Sequence, residues 1–160
     1  MNQRDPRHQN YWLMKTEPAE FSIDDLKKRG IAPWDGVRNY QARNFMQAMR
    51  EGDGVLVYHS SCSPPGVAGI GEVVREAYPD RSAWDRTSDY YDPKSTPQKP
   101  VWFMVDVKFN EKFRRFVSLP ELRAAAALRG LWVLKKGRLS VQPVEKIHFE
   151  LVRRMGRTSV

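Results

Sequence analysis

Strand-like and helix-like segments follow one another in this chain without the regular strand–helix–strand alternation that builds a parallel sheet. Two stretches dominate the strand signal. Residues 67–78 and 101–109 are rich in small and β-branched side chains, which fit a pleated, half-buried surface. Shorter strands are predicted over 11–15, stopped by Thr16-Glu17-Pro18, over 55–60, led in by Asp53-Gly54, and over 139–142. Ser22 with Asp25 three residues later reads as a helix start, supported by Ile23, Leu26 and a closing Gly30. Phe45, Met46 and Met49 recur at helical spacing over 40–50, and Leu119, Leu122 and an alanine run predict a helix over 118–128. Pro143 opens a final amphipathic helix through Arg154, with Val144, Ile147, Phe149, Leu151 and Val152 expected to be buried. The pattern fits an α+β domain around a small, curved, mainly antiparallel sheet or barrel.

At 160 residues the chain suits one core, read as a domain over 11–155 with a flexible segment at 1–10 and a tail at 156–160. No apolar run approaches the ~20 residues that span a bilayer. The first ten residues are polar and carry no signal-peptide stretch, so an intracellular protein, cytoplasmic or nuclear in a eukaryote, is expected, as a monomer with no membrane partner. The formal charge is +8, and residues 124–160 hold eight basic side chains against two acidic ones. Such a segment suits a polyanion through counterion release, or simply a solvated surface. His8, His59 and His148 are scattered around a single Cys62, so no metal site is expected, and the glycines lack a phosphate-loop ending; no cofactor is implied. His59 and Cys62 lie close together but without a third group to orient the imidazole, which argues against a cysteine hydrolase.

The chemistry concentrates elsewhere. Trp34-Asp35-Gly36-Val37-Arg38-Asn39-Tyr40 places an aromatic ring, a turn and polar groups before a helix, where Arg38 is suited to a bidentate phosphate contact. Tyr58-His59-Ser60 and Leu139-Ser140-Val141-Gln142 set polar groups at strand ends, where they must be paired or line a cavity. A base reader needs a stacking ring and a few polar groups addressed to the base edge, and these segments contain both.

Together with Tyr11-Trp12-Leu13-Met14-Lys15-Thr16-Glu17-Pro18, Gln41-Ala42-Arg43-Asn44, Gly66-Val67-Ala68-Gly69-Ile70, Tyr90-Tyr91-Asp92-Pro93-Lys94-Ser95 and Arg138 to Pro143, these segments resemble the EVE domain of the PUA-like superfamily. The resemblance implies a pseudo-barrel of five or six strands flanked by helices and a module that reads modified bases, such as cytosine derivatives, in DNA or RNA. It implies a base pocket built from Lys15, Glu17, Trp34, Asn39, Tyr58, His59, Ser60, Leu139, Ser140 and Gln142. Trp34 or Tyr58 would stack on the base, Ser60, Ser140 and Gln142 would meet its edge, and Arg38, Arg43 and Lys94 would serve phosphates. Tyr90 to Pro93 would either brace the long segment 79–100 or touch nucleic acid. The alternatives are an enzyme acting on modified nucleosides through Lys15 and Glu17, which share a strand face, or a protein-interaction role.

Overall fold

The computed structural model describes residues 9–158. Its strands are β1 (Tyr11–Thr16), β2 (Ile31–Pro33), β3 (Gly54–His59), β4 (Gly66–Pro79), β5 (Phe103–Ser118) and β6 (Val141–Val144), and its helices are α1 (Ile23–Arg29), α2 (Tyr40–Ala48), α3 (Leu119–Ala124) and α4 (Lys146–Arg157). The strands form one sheet in the order β2-β5-β4-β3-β1-β6. Among these described strands only β1 and β3 run parallel, paired from Tyr11 opposite Gly54 to Thr16 opposite His59; the other pairings are antiparallel. The expected α+β architecture around a mainly antiparallel sheet is therefore present.

Strand alternation divides the core in two. Trp12 and Met14 of β1 join Val55, Val57, Val105 and Val107 on one face, where Ile23 and Leu26 of α1 and Ala42 and Met46 of α2 cover them. Tyr11 and Leu13 join Leu56, Tyr58 and Val117 on the other face, beneath Leu122 of α3 and Phe149 and Val152 of α4. Asp53 ties the start of β1 to the turn before β3: it is buried and accepts hydrogen bonds from the backbone N–H of Asn10 and Arg50 and from Trp12 Nε1. Gln9 donates to the Gly52 carbonyl, so residues 9 and 10 are tied down, while the rest of the expected flexible segment lies outside the described residues.

Several boundaries differ from the sequence reading. The strand expected to end at Phe109 continues to Ser118, because Glu111, Lys112, Val117 and Ser118 keep pairing with β4 across a bulge. β2 is three residues long, too short to register as a periodic signal, and pairs with Asp106 to Lys108 near the start of β5. Pro143 does not open a helix. It pairs opposite Trp12 within β6, which tolerates a missing N–H because it is an edge strand. The last helix starts at Lys146 and runs to Arg157, two residues into the expected tail. Its buried residues are His148, Phe149, Val152 and Gly156, and Ile147, about 200° away from Phe149, is 68% exposed rather than buried. The helix over 118–128 is a short α3 followed by a 3-10 turn at Ala126–Leu128.

Both long strands bend, and their pairing slips between Val67 and Gly69 and again between Ile70 and Gly71. At Gly69 the crossing is tight, since a Cβ there would lie 2.3 Å from the Glu111 carbonyl oxygen. Gly69→Ala is therefore expected to destabilise the fold by about 2 kcal/mol or more, as overpacking against backbone does. Urea denaturation reads this directly, and an unchanged midpoint would mean that β4 and β5 can part at this point.

Candidate functional site

The loops that leave β1, β2 and β3, together with the turn that enters β6, converge on one cavity of about 680 Å³. Its wall includes Lys15 and Glu17, Phe21, Trp34 to Arg38, Ser60 and Ser61, Tyr90, and Gly137, Arg138 and Ser140. Backbone bonds fix these segments to one another. Trp34 N–H donates to Val105 O (2.7 Å), Ser60 N–H to Thr16 O (2.9 Å) and Lys15 N–H to Ser140 O (2.9 Å). The apolar side is built from Trp34, 7% exposed, with Phe21 edge-on to it at 6.2 Å, and from the ring of Tyr90.

Tyr90 reaches the cavity from the long connection between β4 and β5, and Arg38 holds it there. All five guanidinium N–H groups of Arg38 are used. Nε and Nη2 donate to Tyr90 O (2.9 and 2.8 Å), Nη1 to Val37 O (2.9 Å) and Asp80 Oδ2 (3.0 Å), and Nη2 also to Ser82 Oγ (3.1 Å). The Asp80 side chain is fully buried and also accepts from Gly36 N–H (2.8 Å) and Ser82. Burial alone would raise its pKa, but the hydrogen bonds from Ser82, Gly36 and Arg38 outweigh that and hold it below the ordinary carboxylate value. Gly36 has φ +78 and lies under the Tyr90 ring, where a Cβ would sit 2.7 Å from ring carbon. The phosphate contact expected of Arg38 thus has no donor left; the residue is a clamp on the loop.

The polar side of the cavity is mixed in charge. Lys15 Nζ donates to Gly137 O (2.6 Å) and lies 5.5 Å from the centre of the Tyr58 ring, and burial lowers its pKa. Glu17 accepts from Ser61 Oγ (3.0 Å). Burial raises the pKa of Asp35, with Asp80 adding to the effect, and burial followed by the carboxylates of Glu20, Asp35, Asp89 and Glu17 raises that of Tyr90. The Tyr90 hydroxyl therefore stays a neutral donor facing carboxylates.

Of the residues expected in the pocket, Lys15, Glu17, Trp34, Ser60 and Ser140 line the cavity. The others stand behind it or apart from it. Asn39 caps α2, its Oδ1 accepting from Ala42 N–H (2.9 Å). Tyr58 is buried in the second core, on the face away from Trp34. Leu139 is core. Gln142 is fully buried and donates from Nε2 to the carbonyls of Lys136 (2.7 Å) and Leu139 (2.8 Å), so it shapes the turn carrying Gly137, Arg138 and Ser140 instead of meeting a ligand. Arg43 donates to Val101 O and Asn44 and packs on Tyr40, and Lys94 is exposed on the loop; neither lines the cavity. Tyr90, Phe21, Asp35, Glu20, Arg29 and Ser61 do, although the sequence does not single them out as pocket residues. The Trp34-Asp35-Gly36 motif is a signal for Asp35; nothing local in the sequence ties Tyr90 to Gly36.

His59 is not paired with Cys62 for nucleophilic chemistry. Its Nε2 accepts from Ile23 N–H (3.0 Å) at the start of α1, and the Cys62 thiol contacts the His59 carbonyl. An accepting Nε2 requires a neutral ring, and burial, outweighing the Asp24 carboxylate, lowers the His59 pKa. With the folded pKa below the unfolded value of about 6.5, this stabilisation is complete above that pH and is lost as pH falls through the lowered folded value. The melting temperature should therefore drop between pH 7 and pH 5, and His59→Gln, which keeps an acceptor that does not titrate, should flatten that drop; equal slopes would exclude His59 as the cause. For the loop, Arg38→Lys replaces a five-donor fork and should cost about 2 kcal/mol of local stability. Hydrogen exchange in residues 80–92 should quicken roughly thirtyfold; unchanged protection would show that Arg38 is not what holds the loop.

Comparison with known proteins agrees with this architecture. The EVE domain model matches residues 10–155. Mouse thymocyte nuclear protein 1 is 41% identical over 162 residues, covering 89% of this chain and 72% of that protein. A hypothetical protein from Leishmania major superposes with a TM-score of 0.92 at 50% identity, covering 95% of this chain and 97% of the other. The human THYN1 protein, in a crystal structure of its complex with DNA containing 5-methylcytosine, superposes with a TM-score of 0.89 at 38% identity, covering 95% and 100%. A match across nearly all of the described residues and relatives at this identity establish that the chain belongs to the EVE domain family.

Proposed function

We propose that this protein is a non-catalytic reader that holds a modified base of DNA or RNA in the cavity. The observation that carries the reading is a 680 Å³ cavity that sets the rings of Trp34 and Tyr90 beside hydrogen-bonding groups. That size falls within the range of about 300–1,000 Å³ common to ligand sites. An extruded base is held by stacking on an aromatic or apolar wall and by hydrogen bonds to its edge. Trp34 and Tyr90 would sandwich the ring, with Ser60, Ser140 and Lys15 at its edge and sugar. Glu17, Glu20 and Asp35 suit an exocyclic amino group, as on cytosine, because carboxylates accept from that N4 donor. The complex of the human relative with 5-methylcytosine DNA supports a modified cytosine as the first ligand to test.

The enzymatic alternative would need Lys15 and Glu17 to exchange a proton at a substrate. Lys15 donates to the Gly137 carbonyl and Glu17 accepts from Ser61, and among the described residues no hydrogen bond or ion pair joins the two side chains to each other. That arrangement favours positioning over catalysis.

Titration with matched DNA and RNA oligonucleotides, with and without a single 5-methylcytosine and at two salt concentrations, tests the reading. The modified strand should bind more tightly, and the preference should survive higher salt. Trp34→Ala should weaken it at least about tenfold, or ~1.4 kcal/mol. Tyr90→Ala, on a more exposed ring, should act in the same direction with less effect on melting. Binding that ignores the modification and collapses with salt would overturn the pocket and leave a basic surface alone.

A further inference from the structure

Beside the cavity, rings and guanidinium groups are layered in a column that runs outward from Tyr90. Arg38 lies 5.6 Å from the Tyr90 ring centre and 5.5 Å from that of Trp102. Trp102 is buried, held by a hydrogen bond from Nε1 to Asp92 (2.7 Å), and the Tyr40 ring stacks on it at 4.9 Å with an interplanar angle of 29°. Arg43 sits 4.9 Å from the Tyr40 ring and 5.9 Å from Trp102. The column starts at the cavity wall and ends in the open, for Tyr40 is 59% exposed. A ring held flat on a buried tryptophan, instead of turned in to the core, leaves a π-face for something outside the chain. Arg43, close to both rings and so beside the pair rather than beyond it, is held by Val101 O and Asn44, and two of its five N–H groups make no hydrogen bond among the described residues.

We propose that Tyr40 is a stacking platform for the base next to the one held in the cavity, with Arg43 supplying a contact to the intervening phosphate. This rests on the reading of the cavity as a base pocket. The occupant is a nucleotide because the layer joins a flat π-face to guanidinium N–H donors, the pairing that tracks a strand by stacking and charge without reading its sequence. The platform is continuous with the cavity wall through Arg38 and Tyr90, so a strand that delivers one base to the cavity passes over Tyr40. Rigid backing by Trp102 means that little side-chain freedom is lost when a base arrives.

The test uses the full chain, free 5-methyl-2′-deoxycytidine, and a single-stranded DNA hexamer with one 5-methylcytosine, intact or with abasic flanking positions. Tyr40→Ala should weaken binding of the intact hexamer roughly five- to tenfold, leave the free nucleoside unaffected, and add nothing to the loss caused by the abasic flanks. Tyr40→Phe, which keeps the ring, should bind like the parent, and both variants should melt as folded proteins. A parent that prefers the methylated hexamer but is indifferent to Tyr40→Ala overturns the platform alone. The platform also falls if Tyr40→Ala weakens nucleoside and hexamer equally, since Tyr40 would then act through the cavity. A parent that binds methylated and unmethylated hexamers equally overturns the pocket, and with it the adjacency on which the platform depends.

Discussion

Asp80 has no access to water, and a carboxylate in that position is tolerable only with enough hydrogen bonds to replace its hydration. Arg38, Gly36 and Ser82 provide them, and each of these contacts also fixes a piece of the cavity. The bond from Gly36 sets the turn after β2, those from Ser82 set the start of the long connection, and Arg38 reaches across to the Tyr90 carbonyl. One buried charge thus joins three segments that are distant in sequence. The planar guanidinium matters here because only a fork of five donors can meet a carboxylate, a hydroxyl and two carbonyls at once.

The sheet supplies the remainder of the geometry. The parallel pairing of β1 with β3 sends both chains out at the same end, so Glu17 and Ser61 meet above it although 44 residues separate them. The turn into β6 arrives at that end from the opposite direction, and Gln142 holds its carbonyls from within the core. Behind the site, α2 and its Asn39 cap orient the segment from Trp34 to Arg38 without touching the cavity. Several polar residues near the site therefore serve its shape, while the lining mixes carboxylates, a neutral phenol and cations.

Much of this architecture is legible in the sequence, and what is not legible has a common cause. Ser22, Asp25 and Gly30 delimit α1 as their chemistry predicts, because caps are local effects. Val55, Val57, Val105 and Val107 are core because alternation is local too. Trp34, Lys15 and Ser140 sit in motifs compact enough to stand out. Tyr90 belongs to a motif as well, but its place in the cavity wall depends on Gly36 lacking a Cβ and on an arginine 52 residues away. Arg38 and Gln142 have the composition of ligand-contacting groups, and only their hydrogen bonds reveal that the chain has already used all five N–H groups of Arg38 and both N–H groups of the Gln142 amide. Polar residue types announce hydrogen bonding; they do not announce with whom.

The two ends of the sheet share a feature with a different consequence. β2 and β6 are its outermost strands, three and four residues long, and each contains a proline, Pro33 and Pro143. A strand this short, with one amide hydrogen missing, is a poor template for a foreign strand. These two strands therefore resist edge-to-edge addition, the route by which copies of a β-rich protein polymerise. The 16-residue β5 lies one strand in from the β2 border, and β2 covers it only from Asp106 to Lys108.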